Sequence, residues 1–472
     1  MASETEHSVT SPAISSGNHT RVRGLPSDSD LALMELGLIA KSVCSGLHVS
    51  KRSLDDIVET SVRTDLSNGG TAALDISVSG QVTAEWNGQT RTAIDTGAHG
   101  CVLLPIGAKD VFFEPMLDQD ARRAISLADH SDPNFIPALD AAFQTNPDTG
   151  TAAVAIVHKG KLVAERYGAG AEADMRLESW SMGKSAVGLL IACAASDGLL
   201  SLDEPIALRE WLSSGDPRRA ITFDDALRMS SGIDFSAPWA EDYEPERHGY
   251  PDHGFIYSGA IDIRAFAASR TLLHPPGRFG AYKNGDTLLL LAGLEDRLVA
   301  AGEDPLAWPY TRLFHPAGAN GLIFETDPYG HIFGTGNVYG TARDWLALGR
   351  LFVEPAHSRK IGLDRDVLSH FASPSPAWRG KYWMAEPPTG FSDSVYGLHV
   401  WLNRHAPQDR WPAPDDMFFF LGVGGQYTFI VPSLDLAVVR LGHIRKTLES
   451  DAGRGHVPAL LEAACRAAEA KP

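Results

Sequence analysis

Cysteine is scarce in this chain. Four residues, Cys44, Cys101, Cys193 and Cys465, are spread over 472 positions, too few for a disulfide framework. No C-x-x-C pair and no close Cys/His grouping occurs, so zinc has no evident ligand set. Cys44 and Cys101 leave two readings open, a single bridge or two buried reduced thiols. Basic clusters are missing as well. The 41 Lys and Arg face 59 Asp and Glu, a net charge of −18, and 10 basic against 18 acidic side chains in residues 1–135 show that the acidity is spread. Nucleic acid and anionic membrane surfaces are therefore poor partners. The longest apolar run, Ala186 to Ala195, is too short to span a bilayer. Met1 to Asp30 is Ser/Thr-rich and lacks a basic start followed by an apolar core, which predicts a disordered tail over residues 1–30 and no signal peptide. The expectation is a soluble, cytoplasmic protein. None of the 17 histidines forms H-E-x-x-H or H-x-H, and neither G-x-S-x-G nor G-x-x-x-x-G-K-[ST] occurs. These absences disfavour a metallohydrolase, an α/β-hydrolase and a P-loop enzyme.

What is present is an ordinary globular composition, 44% apolar and 21% charged, with a length that suggests two or three domains. Leu31 to Leu47 has helical spacing. Thr71 to Asp95 alternates apolar and polar residues and breaks at Ser79-Gly80, which predicts a hairpin of Ala73–Val78 with Gln81–Trp86. These segments read as a small α+β extension over residues 31–134, ending in a looser stretch at 126–134. From residue 135 a short helix, Ile136 to Phe143, precedes a hairpin of Ala152–His158 and Lys161–Tyr167 around Lys159-Gly160. A second hairpin joins Gln426–Val431 to Leu436–Leu441 through Pro432–Asp435, and His456 to Ala470 closes the chain as an amphipathic helix. Thr222 with Asp225, and Thr341 with Asp344, read as capping boxes with Asp in place of Glu, and Gly232 as the stop of the first of these helices. The fold class expected is α/β in the broad sense, more strictly α+β. An antiparallel sheet from 150–168 and 415–472, flanked by helices, carries an inserted, mainly helical domain over about 200–400.

Ser181-Met182-Gly183-Lys184 lies where an irregular stretch meets the apolar run Ser185 to Ala195, at a helix start. Positions i and i+3 share a helix face, so Lys184 reaches the Ser181 hydroxyl. Serine needs a base to become a nucleophile. Lysine serves as one only when neutral, against an ordinary pKa of about 10.4. Burial and the positive helix end both favour the neutral form. Taken alone, the motif also fits an ordinary exposed helix start. Tyr282-Lys283-Asn284 follows Pro275-Pro276-Gly277 and precedes an apolar helix. A loop tyrosine there can relay a proton, with Asn284 orienting the lysine or the substrate amide; alone, Tyr282 reads better as a packing residue. Gly422-Val423-Gly424-Gly425-Gln426 opens a strand, where glycines let a substrate backbone approach. The backbone N–H groups of Ser181 and Gln426 are candidate oxyanion donors; a plain turn is the alternative.

In order and spacing these three segments resemble the serine β-lactamase and penicillin-binding-protein family. "LRMSSGIDF" (227–235), "PPGRFGAYKNGD" (275–286), "TARDWLALGRLF" (341–352), "YGLHVWLN" (396–403) and "GGQYTFIVPSLDLAVVRLG" (424–442) look like its class C branch. Within that branch they look like carboxylesterases and 6-aminohexanoate-dimer hydrolases. The resemblance covers about residues 135–472. It implies a β-lactamase/transpeptidase-like fold, Ser181 as nucleophile, Lys184 as base, Tyr282 as acid/base relay, and Asn284, Gly424 and Gly425 in support. It implies no metal and no cofactor. Where the family carries Lys or His in the third motif this chain has Val423, which argues for an amide or ester without a carboxylate at that point. Tyr243, His248 and Tyr257, in a loop over 238–258, and Phe333 and Thr335 are candidate substrate contacts beside Val423. An acyltransferase, a β-lactamase-like or D-amino-peptidase-like activity, and a silent binding protein on the same fold remain alternatives. The N-terminal extension is expected either to cover the site entrance or to form a contact in a homodimer.

Overall fold

The computed structural model of the chain describes residues 27–77, 79–116, 131–143, 150–168, 170–238, 240, 242–378, 395–403, 411–443 and 452–470. Most of the tail expected over residues 1–30, and the stretch 126–130, lie outside the described residues.

The N-terminal unit begins with α1 (Asp28–His48), where Ser27 and Asp30 form a capping box. After α2 (Leu54–Thr60), strands β1 (Ala73–Ile76), β2 (Gln81–Trp86), β3 (Gln89–Asp95) and β4 (Cys101–Leu103) pair antiparallel in chain order. The expected hairpin is β1–β2. Alternation continues into β3 through Asn87-Gly88, both at positive φ, the pair that suits a two-residue hairpin turn. Leu36, Ile39 and Val43 of α1 bury against Val82, Ala84 and Ala93, each of the Leu, Ile and Val side chains stabilising by about 1.5–3 kcal/mol. Among the described residues, Ser29–His48 is the one helix long and apolar enough to cross a membrane, and 61% of its window is buried inside the protein. All four cysteines are free and buried, so the Cys44–Cys101 bridge is not formed.

From residue 131 onward come α3 (Ile136–Ala142), β5 (Thr151–His158), β6 (Lys161–Tyr167), β7 (Leu177–Glu178) and α4 (Met182–Ser196). They are followed by α5 (Phe223–Leu227), α6 (Pro245–His248), α7 (Asp252–Ser258), α8 (Ile263–Ala268) and α9 (Asn284–Ala301). The strands that follow are β8 (Ile323–Phe324), β9 (Val338–Gly340), β10 (Val395–Tyr396), β11 (Trp401–Leu402), β12 (Phe418–Gly422), β13 (Gln426–Val431) and β14 (Leu436–Gly442). Among the described residues the main sheet has seven antiparallel strands in the order β10-β11-β12-β13-β14-β5-β6. The expected hairpins from both chain ends therefore meet side by side, β14 on β5. Strands β10 and β11 come from the segment expected to be helical insertion.

Side chains of the central strands alternate between two cores. Ala153, Ala155, Val439 and Leu441 face the helical side with α4 and the helix Ala342–Val353. Val154, Ile156, Val438 and Phe429 face α3 and the C-terminal helix Ala452–Glu469. This is the period-2 rule of a strand buried on both faces. Helix α4 is buried on every side from Met182 to Ala194, as an all-apolar helix must be. Both expected capping boxes form. The helix opened by Thr222 stops at Leu227, not at Gly232, because Met229 takes a left-handed φ of 57° that ends the helical run early.

Candidate active site

Ser181 is the N-cap of α4. It follows Trp180, whose left-handed φ of 49° costs a non-glycine residue about 1–2 kcal/mol. The strain is held by Ser179, whose N–H and Oγ both donate to the Val338 carbonyl at 2.8 Å. One helical turn on, Lys184 Nζ donates to Ser181 Oγ and to the Thr335 carbonyl, each at 2.9 Å. The same Nζ sits 4.8 Å from the centre of the Tyr282 ring. Lys184 is only 1% exposed, and none of its described partners is an acid. Burial therefore holds its pKa well below the ordinary lysine range.

Tyr282 is buried among aromatic rings, 5.3 Å from Trp401, 5.9 Å from Tyr396 and 6.4 Å from His253. The N–H of Ala281, just before it, donates to the Met229 carbonyl. Asn284 opens α9 and is fully buried. Its Nδ2 donates to the His253 carbonyl and to Tyr257 Oη, each at 3.1 Å, while its Oδ1 is buried without a hydrogen-bond partner. Tyr257 Oη in turn donates to Thr335 Oγ1 at 2.9 Å, and its ring stacks on Phe333 at 5.6 Å. Burial raises the Tyr257 pKa above the usual phenol range, so it stays a neutral hydroxyl. Tyr257, Phe333 and Thr335, expected as substrate contacts, thus form the wall that holds Lys184.

The third segment lies beside the first. A Cβ on Gly422 would stand 2.0 Å from the Ser179 carbonyl oxygen, so β12 runs against the backbone leading into Ser181. Residues 423–425 make the hairpin turn, with Gly424 and Gly425 both at positive φ and Val423 half-buried. Gln426 lies on β13, directly opposite Gly422 in the ladder. Its side-chain amide exchanges hydrogen bonds with the backbone of Gly442. Arg440 reaches under the turn, donating to the carbonyls of Gly424 (3.1 Å) and Gly425 (2.8 Å).

Tyr243 and His248 stack on each other at 5.5 Å. Tyr243 Oη donates to the Gly249 carbonyl and His248 lies 3.3 Å from Asp234. Their described contacts tie the loop to itself and to Asp234, and none reaches Ser181, Lys184 or Tyr282. Sequence reasoning missed His253. Burial, then the nearby Lys184, depress its pKa well below the usual histidine range. A lone histidine in a loop carries no signal that would mark it. It also missed Trp180, because left-handed strain at a tryptophan has no sequence signature. Asp262, Asp327 and His331 converge closely enough to share a cation. Their described partners are internal, however: His331 pairs with Asp262 and Glu295, and the Asp327 oxygens accept backbone N–H groups of Ile263, Tyr329 and His331.

Residues 139–462 match the family model described as Beta-lactamase. A search of curated proteins found no match to the chain. Among solved structures, a penicillin-binding protein homologue from Caulobacter crescentus shares 16% identity at a TM-score of 0.55, covering 73% of this chain and 100% of that one. A family VIII carboxylesterase shares 13% at 0.53, covering 73% and 100%. A structure described as a 6-aminohexanoate-dimer hydrolase from Bacillus anthracis shares 18% at 0.49, covering 66% and 77%. At such identities the likeness to the first two is one of fold.

Proposed function

The chain belongs to the beta-lactamase family, whose members are serine hydrolases, and from that premise we propose that it cleaves an amide or ester of a small molecule through an acyl-enzyme on Ser181. One observation carries the reading: a buried lysine with no acid among its described partners lies 2.9 Å from a serine hydroxyl at a helix N-terminus. A buried amine without a counter-ion is stable in its neutral form. Neutral Lys184 then has a lone pair for the Ser181 proton while it donates to the Thr335 carbonyl.

Ser181 Oγ attacks the substrate carbonyl and its proton passes to Lys184. The oxygen that becomes negative is met by the Ser181 N–H and by an N–H of the hairpin turn. For that second donor we substitute Val423 for Gln426. Gln426 already lies on β13, paired with Gly422 in the ladder, whereas Val423 is in the turn itself. Val423 is the first residue past the point where β12 touches Ser179. Tyr282, in ring contact with Lys184, hands a proton to the leaving amine or alcohol. Water then attacks the acyl-enzyme, and the same groups return their protons. Val423 supplies no cation at the turn, and the Arg440 guanidinium beneath it donates to the turn carbonyls of Gly424 and Gly425. No metal or cofactor enters these steps.

Intact-mass measurement after treatment with a fluorophosphonate tests the reading. One covalent adduct is expected, lost in Ser181→Ala; a folded wild type that takes no adduct sinks it.

A further inference from the structure

The family match begins at residue 139, so the N-terminal unit lies outside it. Two buried polar contacts fasten this unit to the rest of the protein, and both land on segments that shape the Lys184 environment.

The first is Arg91 on β3. It is 5% exposed, and its Nη1 donates to the Ser258 carbonyl at 2.9 Å and to the Leu33 carbonyl at 3.4 Å. Among the described residues its Nε and Nη2, both buried, have no hydrogen-bond partner, and no carboxylate is among its contacts. Desolvation lowers its pKa to about 10. A buried, half-satisfied guanidinium is destabilising in itself, so packing alone gives no reason for it. Its one strong bond ends on Ser258, the last residue of α7 and the neighbour of Tyr257. Helix α1 packs along the same helix, and Ala260 just beyond it is buried in the core of the N-terminal unit.

The second contact is Glu325, buried just past β8. Its carboxylate pairs with Lys41 of α1 and accepts from Ser45 Oγ and from the Cys101 N–H, each of these two at 2.8 Å. The Glu325 N–H donates to the Asn337 carbonyl, and its own carbonyl accepts the Phe333 N–H, both at 3.1 Å. The loop between residues 333 and 337 contains Thr335, whose carbonyl holds Lys184 and whose hydroxyl accepts from Tyr257.

We propose that the N-terminal unit is a working part of the active site. Through Arg91 on Ser258 and Lys41 on Glu325 it fixes the two segments that Tyr257 joins at Thr335, and so sets the position of Lys184. Tyr257 and Arg91 are positioning residues in this scheme; neither touches the reacting atoms. The inference rests on the assignment of Ser181 and Lys184 made above.

The test compares full-length wild type, Arg91→Met, Arg91→Lys and Tyr257→Phe. Three quantities are read: the second-order rate of Ser181 modification by a small fluorophosphonate, amide hydrogen exchange in peptides spanning 252–260 and 331–337, and the melting temperature. Arg91→Met keeps the apolar stem and removes an uncompensated charge, so it is expected to fold. It should slow modification by about tenfold or more, since small misplacements of a reacting group cost that much, and should speed exchange in both peptides. Arg91→Lys retains a donor and should recover part of both effects. Tyr257→Phe should slow modification with little change in melting temperature. Wild-type modification rates in both Arg91→Met and Tyr257→Phe overturn the proposal. So does unchanged exchange at 331–337 in Arg91→Met, which decides it even if wild-type Ser181 takes no adduct and the proposed function itself falls.

Discussion

Gly422 and Ser179 are in backbone contact: the carbonyl oxygen of Ser179 occupies the place a side chain at 422 would need, 2.0 Å from an ideal Cβ. The contact fixes where the β12–β13 hairpin sits relative to Ser181, two residues beyond Ser179. It is also the reason a glycine is required at the end of β12, since neither partner is the free end of a flexible side chain. Gly422→Ala is expected to push the hairpin off the serine. Ester or amide turnover should fall by about 10- to 100-fold, as a misplacement near 1 Å costs, and overpacking should destabilise by about 1–3 kcal/mol. Initial rates and thermal melts of the folded variant check this. Undiminished turnover would remove the hairpin turn from the site.

The Lys184 amine works as a base only when neutral, and burial sets its pKa well below the ordinary value of 10.5. Acidification through that depressed pKa protonates the amine and stops acylation. The acylation rate should therefore rise with pH to a plateau whose acid-side midpoint lies well below 10.5. Lys184→Arg keeps a cation that does not deprotonate and should lose about 10²- to 10⁴-fold, the usual worth of a positioned base. A pH profile of fluorophosphonate labelling reads both. A rate still climbing near pH 10 would mean that Lys184 is charged in the folded protein.

Ser181 and Lys184 were legible because their relation is local: one helical turn brings them together whatever the rest of the chain does. The flanking hairpins were legible for the same reason, since alternation and a turn sequence suffice. The environment of Lys184 was not. Thr335 acts through a backbone carbonyl, which no side-chain motif reports, and Tyr257 meets Thr335 across 78 positions. The donor in the third segment was hard to read because Gly422, Gly424 and Gly425 offer several equally good strand ends; the contact of Gly422 with Ser179 is what favours Val423 over Gln426 in the proposed mechanism. Tyr243 and His248 look like substrate groups by type, yet Tyr243 Oη donates to Gly249 and His248 Nδ1 meets the Glu244 backbone, both within their own loop. Strands β10 and β11 are two residues each, too short for any period to show.

His331 provides a test of the internal charge cluster. Burial alone lowers its pKa, but Asp327, Glu295 and Asp262 overcome this and raise it to about 9. A folded-state pKa above the unfolded value of about 6.5 means the imidazolium's contribution is complete below about 6.5 and fades as pH rises through about 9. By linkage it amounts to at most about 3 kcal/mol. Asp327, pushed up to about 6 by burial, is mostly ionised from pH 7 upward, so the comparison belongs above that point. His331→Gln should lower the melting temperature clearly near pH 7 and much less at about pH 9.5. Equal losses at both values would mean that His331 stabilises by shape and hydrogen bonding alone.

Val423 opens the hairpin turn just past the contact of Gly422 with Ser179, and it is half-buried. Its apolar side chain gives a substrate carboxylate no counter-charge. Val423→Lys should therefore change preference more than capacity. For an ester with a carboxylate near the scissile carbonyl and its neutral isostere, the ratio of kcat/KM should move toward the anion. An ammonium about 4 Å from a carboxylate in a partly solvated site contributes roughly 1–2 kcal/mol, between the water and near-surface limits, which is about 5- to 30-fold in that ratio. Because the contribution is electrostatic and partly exposed, added salt should shrink it. The neutral ester should be cleaved by the variant at nearly the wild-type rate, since the role proposed for Val423 uses its N–H and not its side chain. A ratio that stays put, or a variant that loses both substrates equally, would show that the side chain at 423 does not face the bound acyl group.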